Sequence, residues 1–118
     1  MPKSASDTNF ASRGKASTDG GVWSPNTDVY ETTDHLVIKV ELAGINKEDL
    51  DLTVAENRMT VSGFRHDEKR AAKSVFRVME IDHGPFLTAI DLPEGYDTDA
   101  AKASYQDGFL RIEVPTLK

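Results

Sequence analysis

The chain has 118 residues and no cysteine. That excludes a disulfide framework, a thiol nucleophile and a cysteine-ligated zinc site. It also lacks any apolar run approaching the roughly 20 residues that a membrane-spanning helix needs. The first residues, Met1 to Asp7, have none of the apolar stretch of a secretory signal. Positive charge is in the minority, with 14 Lys and Arg against 20 Asp and Glu, a net charge of −6. An acidic chain repels phosphate backbones and anionic lipid, so neither nucleic acid nor membrane is an expected partner. Together these absences point to a reducing, cytoplasmic location. Hydrophobic residues make up 38% of the chain, enough for one domain with a modest core and nothing larger.

Residues 1–21 are rich in Ser, Thr, Gly, Ala and Lys, and Phe10 is their only aromatic residue. Such a stretch buries too little apolar area to offset chain entropy, so a disordered polar leader is expected there, with the domain spanning 22–118. The remainder alternates. Leu36, Ile38 and Val40 share one face, as do Leu50, Leu52 and Val54. The same holds for Met59 with Val61, for Phe86, Thr88 and Ile90, and for Leu110, Ile112 and Val114. Period two over several short runs is the signature of half-buried strands. Turn residues separate the runs at Ala43-Gly44, Glu56-Asn57, Gly84-Pro85, Pro93-Glu94-Gly95 and Asp107-Gly108. Glu56-Asn57 and Asp107-Gly108 each mark a tight hairpin. Asn46 to Asp49 suits a single helical turn capped by Asn46. The sum is an all-β, antiparallel β-sandwich.

Residues 65–83 interrupt this rhythm. They begin with a charged, solvated-looking stretch containing Arg65, Lys69, Arg70 and Lys73, diluted by Asp67 and Glu68. An alternating piece follows: Ser74, Val75, Phe76, Arg77, Val78, Met79 and Glu80. A loop this long in a small domain is usually functional or disordered. A strand at its tip has three options: its own sheet, free solution, or the edge of another molecule.

The residues offer little for catalysis. His35, His66 and His83 sit on separate elements without metal-ligand spacing. The acid pairs Asp49/Asp51 and Asp97/Asp99 flank strands or turns in polar company, unlike a cleft-bound acid/base pair. Ser62 and Ser104 lack a nucleophile elbow. No enzyme, metal or cofactor is expected. The apolar runs are more informative. Leu50, Leu52 and Val54 on one run, and Ala101, Ala103 and Tyr105 on another, either fill the core by tight packing or border a shallow groove that accepts an extended peptide.

Three pieces, in this order and spacing, resemble the α-crystallin domain of the small heat-shock proteins, in a match running from about Val22 to Lys118. Ala103, Asp107, Gly108 and Leu110 are similar to the family signature Ala-x-x-x-Asn-Gly-Val-Leu, with Asp107 for Asn and Phe109 for Val. Glu41 to Leu50, followed by Met59 to Gly63, resembles the family's Asp-Leu-Pro-Gly segment and its next strand. Gly84 to Pro93 resembles Gly-x-Phe-x-Arg-x-Phe-x-Leu-Pro. Trp23 to Tyr30 matches the usual leading strand. The resemblance implies an immunoglobulin-like sandwich and an ATP-independent holdase chaperone that binds unfolding client proteins. The long arm resembles the bacterial and plant branch, in which the strand at its tip, here Ser74 to Glu80, swaps into a partner near its leading strand, here about Asn26 to Glu31. A homodimer or small homo-oligomer is then expected. Thr88 and Asp91 stand where the family usually has Arg, and Ala43 replaces a Pro. No Ile-x-Ile tail follows Pro115, which favours small assemblies over cages. A CS-type co-chaperone or adaptor, similar in sandwich shape but usually without the arm, is the alternative.

Overall fold

The computed structural model describes residues 21–67 and 74–118. Residues 1–20 of the expected leader and three members of the basic cluster, Lys69, Arg70 and Lys73, lie outside the described residues. Among the described residues seven strands form: β1 (Thr27–Glu31), β2 (His35–Glu41), β3 (Leu50–Ala55), β4 (Arg58–Arg65), β5 (Gly84–Asp91), β6 (Lys102–Gln106) and β7 (Phe109–Pro115). The pairings between these strands are antiparallel, and Trp23 adds a parallel bridge to Phe86. They build a four-stranded sheet ordered β1-β2-β7-β6 and a three-stranded sheet ordered β3-β4-β5.

The period-two runs set the register. Leu36, Ile38 and Val40 face Val114, Ile112 and Leu110 across β2 and β7. Met59 and Val61 face Ile90 and Thr88 across β4 and β5. These two inner faces meet in one core with Trp23, Leu42, Phe86 and Leu92. Thr88 is buried in it, where a charged side chain would require a partner. Asp91 points to the outer face and pairs with Arg58. Val37 is a surprise: it is buried although it faces away from the core, between Tyr30 and Glu113 in the register.

The hairpins form where expected. Glu56 and Asn57 take φ of 54° and 65°, and Asp107 and Gly108 take 56° and 83°, the doubly positive pattern of a two-residue turn whose twist matches its strands. The expected helical turn appears as a 3₁₀ turn at Lys47–Asp49, but the Asn46 side chain does not cap it. The Asp49 N–H donates instead to the Asn46 carbonyl at 2.8 Å, so the backbone closes the turn by itself. In the single chain Ser74 to Glu80 forms no strand. A strand needs a neighbour to take its backbone hydrogen bonds, and within the described residues no strand pairs with this segment.

Gly63 is where β3 and β4 depend on a missing side chain. A Cβ there would overlap the Asp49 carbonyl oxygen and lie 2.7 Å from the Phe86 ring. Gly63→Ala is therefore expected to destabilise the domain by about 1–3 kcal/mol, the usual range for forced overpacking. A thermal melt showing no loss would contradict this close approach.

Candidate functional site

The sandwich opens along one side. Among the described residues β3 pairs only with β4, and β6 only with β7, leaving both outer edges without a strand. The β6 edge is tied to the crossing that leads from β2 toward β3. Tyr105, on β6, holds that crossing: its hydroxyl donates to the Leu42 carbonyl at 2.6 Å and accepts from the Ile45 N–H at 3.3 Å. A tyrosine facing inward needs such a partner for its hydroxyl, which is the one sequence signal for this lock.

Between the edges lie the six residues expected to border a groove, and the structure divides them. Leu50, Ala101 and Tyr105 are partly buried and pack against the core. Leu52 and Val54 share a face with Val61 and Met59, which are 0% exposed, yet each is itself 38% exposed. Ala103 is also exposed, although it pairs with the buried Ile112. Tight packing thus describes one half of the set and an open apolar seam the other. An extended segment laid here would meet apolar side chains and free strand edges together. Covering a few hundred Å² at about 25 cal/mol per Å² yields several kcal/mol before the costs of association, which is the range of weak capture.

The signature residues explain the shape of this region. Gly108 needs its positive φ, and a Cβ there would sit 3.2 Å from the Ala43 Cβ, so the β6–β7 turn packs directly on the crossing. The Leu42 N–H donates to the Gly108 carbonyl at 2.8 Å. Leu110 is buried in the core.

A second set of apolar groups is exposed on the arm. Val75, Val78 and Ile81 are 84%, 72% and 68% exposed, and Phe76 and Met79 are close to half exposed. Ser74, Arg77 and Glu80 are exposed as well. Among the described residues β1 pairs only with β2, so its outer edge is also without a strand. Its Val29 shares a face with the fully buried Ile38 but remains exposed.

Arg65 departs from the solvated stretch expected at 65–73. It is half-buried, with its guanidinium 4.4 Å from the centre of the Trp23 ring. Burial lowers its pKa, against the opposing pull of Asp82, Tyr105 and Glu41. The sequence placed it in a polar run, and only its position at the end of a core strand hinted otherwise.

Of the remaining polar candidates, His66 pairs with Asp49 at 3.2 Å, and its ring lies tilted by 50° against Phe64. Asp51, Asp99 and Ser104 are exposed. Among the described residues, no three His, Cys, Asp or Glu side chains come together as a metal site. No helix among them is long and apolar enough to cross a membrane.

The model of the Hsp20/alpha crystallin family matches residues 28–118. The chain is 35% identical over 91 residues to spore protein SP21 of Stigmatella aurantiaca, covering 77% of this chain and 54% of that protein. It is 37% identical over 89 residues to a 17.8 kDa class I heat shock protein of Solanum lycopersicum, covering 75% and 58%. The solved heat shock protein 16.0 of Schizosaccharomyces pombe superposes with a TM-score of 0.76 at 30% identity, covering 84% of this chain and 71% of that one. The chain spans a little over half the length of the curated relatives it matches.

Leu52→Asp is expected to leave the domain folded and to reduce binding of an apolar fluorescent dye such as bis-ANS. Val61→Asp, at the fully buried register partner, is expected to prevent folding, because an unpaired carboxylate there has no water. Circular dichroism melts and dye titration read both outcomes. Equal destabilisation by the two substitutions would mean that the seam is closed.

Proposed function

The chain belongs to the Hsp20/alpha crystallin family, and from that footing we propose that it is an ATP-independent, cytoplasmic holdase that captures unfolding proteins and keeps them from aggregating. The observation that carries this reading is the exposure of Leu52 and Val54, inward-facing apolar residues on a strand edge with no partner strand. An unfolding client offers apolar side chains and unpaired backbone, and this seam accepts both. Coverage of such surface slows association among unfolded chains by mass action, with no bond made or broken and no nucleotide required. The excess of negative charge supports protein clients over nucleic acid or anionic membrane. Nothing in the relatives described above favours the CS-type adaptor.

The building block in this reading is a homodimer formed by exchange of the arm at Ser74 to Glu80. Each chain carries one apolar arm and one bare β1 edge, so two copies related by a two-fold axis satisfy each other twice. Pairing on β1 would supply the neighbour that the arm lacks in a single chain and cover Val29.

Two measurements test the reading. Light scattering from a heated model substrate is expected to fall with added chain, equally with and without ATP, and to fall less with Leu52→Asp. No suppression at molar excess would refute the holdase. Replacing residues 66–83 with a two-residue turn is expected to yield a folded monomer by light-scattering mass; a persistent dimer would refute the exchange.

A further inference from the structure

We propose that Arg65 is the positioning residue that fixes the root of the arm and so sets the strength of the dimer, an inference that rests on the arm exchange proposed above. The chain leaves β4 at Arg65 and returns at Gly84, which is its register partner. Beside this root lies an open-sided cavity of about 420 Å³, lined by Glu80, Ile81 and Asp82 of the returning segment and by Pro25, Asn26 and Glu41 of the body. The hydrogen bonds of Arg65 cross this region. The Arg65 guanidinium donates to the Asp82 carbonyl from Nε at 2.9 Å and from Nη2 at 2.7 Å. Its third nitrogen, Nη1, donates to the Ala43 carbonyl at 3.0 Å.

One planar group therefore grips the arm on one side and the β2–β3 crossing on the other. Its plane is backed by Trp23, which is fixed in turn. The Trp23 Nε1–H donates to the Gly84 carbonyl at 3.2 Å, and its backbone bonds to Pro85 and Leu87 on the β5 edge. Only a guanidinium has the forked donors to serve both carbonyls while lying on an indole; a lysine ammonium keeps the charge but not the fork.

The consequence for dimerisation is one of population. An arm that points toward the partner's β1 edge only part of the time binds with an apparent dissociation constant raised by the inverse of that fraction. Both arms must be competent in a two-fold dimer, so lowering the competent fraction of each arm to about a third or less is expected to weaken the dimer by the inverse square, about tenfold or more.

The test compares wild type with Arg65→Lys, Arg65→Gln, Arg58→Gln and Val61→Ala by sedimentation across a dilution series, with thermal melts and Trp23 fluorescence on each. Both Arg65 variants are expected to dissociate at least tenfold more readily than wild type, with altered tryptophan emission. Arg58→Gln, which removes the same charge from the far end of β4, is expected to match wild type. Val61→Ala leaves a cavity in the core on the same strand, between Leu52 and Thr88 in the register, so it is expected to lower the melting temperature while keeping the dimer constant near that of wild type. Arg65 variants with the wild-type dimer constant would overturn the proposal and leave the exchange intact. So would a Val61→Ala dimer weakened in proportion to its lost stability, because the effect would then be global. A wild-type chain that stays monomeric at every concentration would remove the exchange itself, and this inference with it.

Discussion

An inward-facing side chain on an edge strand is buried only if the opposite sheet extends far enough to cover it. Sheets of four and three strands do not satisfy that condition everywhere. Ile38 and Val61 lie on interior strands and are 0% exposed, while Val29 on β1 is 44% exposed and Leu52 and Val54 on β3 are 38% exposed. All five are aliphatic residues pointing the same way. Their fates differ by position in the sheet, and the apolar surface proposed to capture clients follows from that difference. The open edges of the two sheets thus leave apolar side chains uncovered at Val29, Leu52 and Val54.

The two sides of the sandwich are finished differently. On the β5 side the segment around Trp23 pairs with Pro85 and Leu87, and the indole packs against Phe86 with ring centres 5.4 Å apart. That side is sealed over part of its length. On the β3–β6 side the crossing stands at one end only, pinned by the Tyr105 hydroxyl, and the rest stays open. In both places a polar atom on a large ring fixes backbone that packing alone leaves loose. Buried backbone groups must be satisfied, so a side chain that serves two of them defines where the chain runs. Arg65 does the same at the root of the arm.

Much of this fold was legible because alternation has one reading when strands are short and turns are marked. The inner faces of β2, β4, β5 and β7 followed from it, and both two-residue hairpins followed from Glu56-Asn57 and Asp107-Gly108. Periodicity names a face but not whether anything covers it. That is why Leu50, Leu52 and Val54 looked alike in sequence and separate in the structure. It is also why residues 74–80 alternate like a strand and yet form none, since strand status belongs to a pair of segments. β1 entered by its likeness to a family's leading strand, because Thr27–Glu31 is exposed almost throughout and carries no clean alternation. Arg65 was hidden by its neighbours: a run of charge implies solvent, and nothing local says that its first member lies on an indole.

The outer faces complete the account of where adhesion can occur. Lys39 lies over the Phe109 ring at 4.5 Å, Arg111 bonds both Glu113 and the Tyr30 hydroxyl, and Arg58 pairs with Asp91. Exposed pairs of this kind add little to stability. Their effect is on what the surface will bind. An apolar client gains nothing by displacing charges that already have partners and water, whereas at Leu52, Val54, Val75 and Val78 it covers exposed aliphatic groups. A protein that must hold many unrelated chains weakly, without collapsing onto its own copies, needs apolar surface that is confined in area and bordered by satisfied charge. The unequal sheets supply the confinement, and the paired outer faces supply the border.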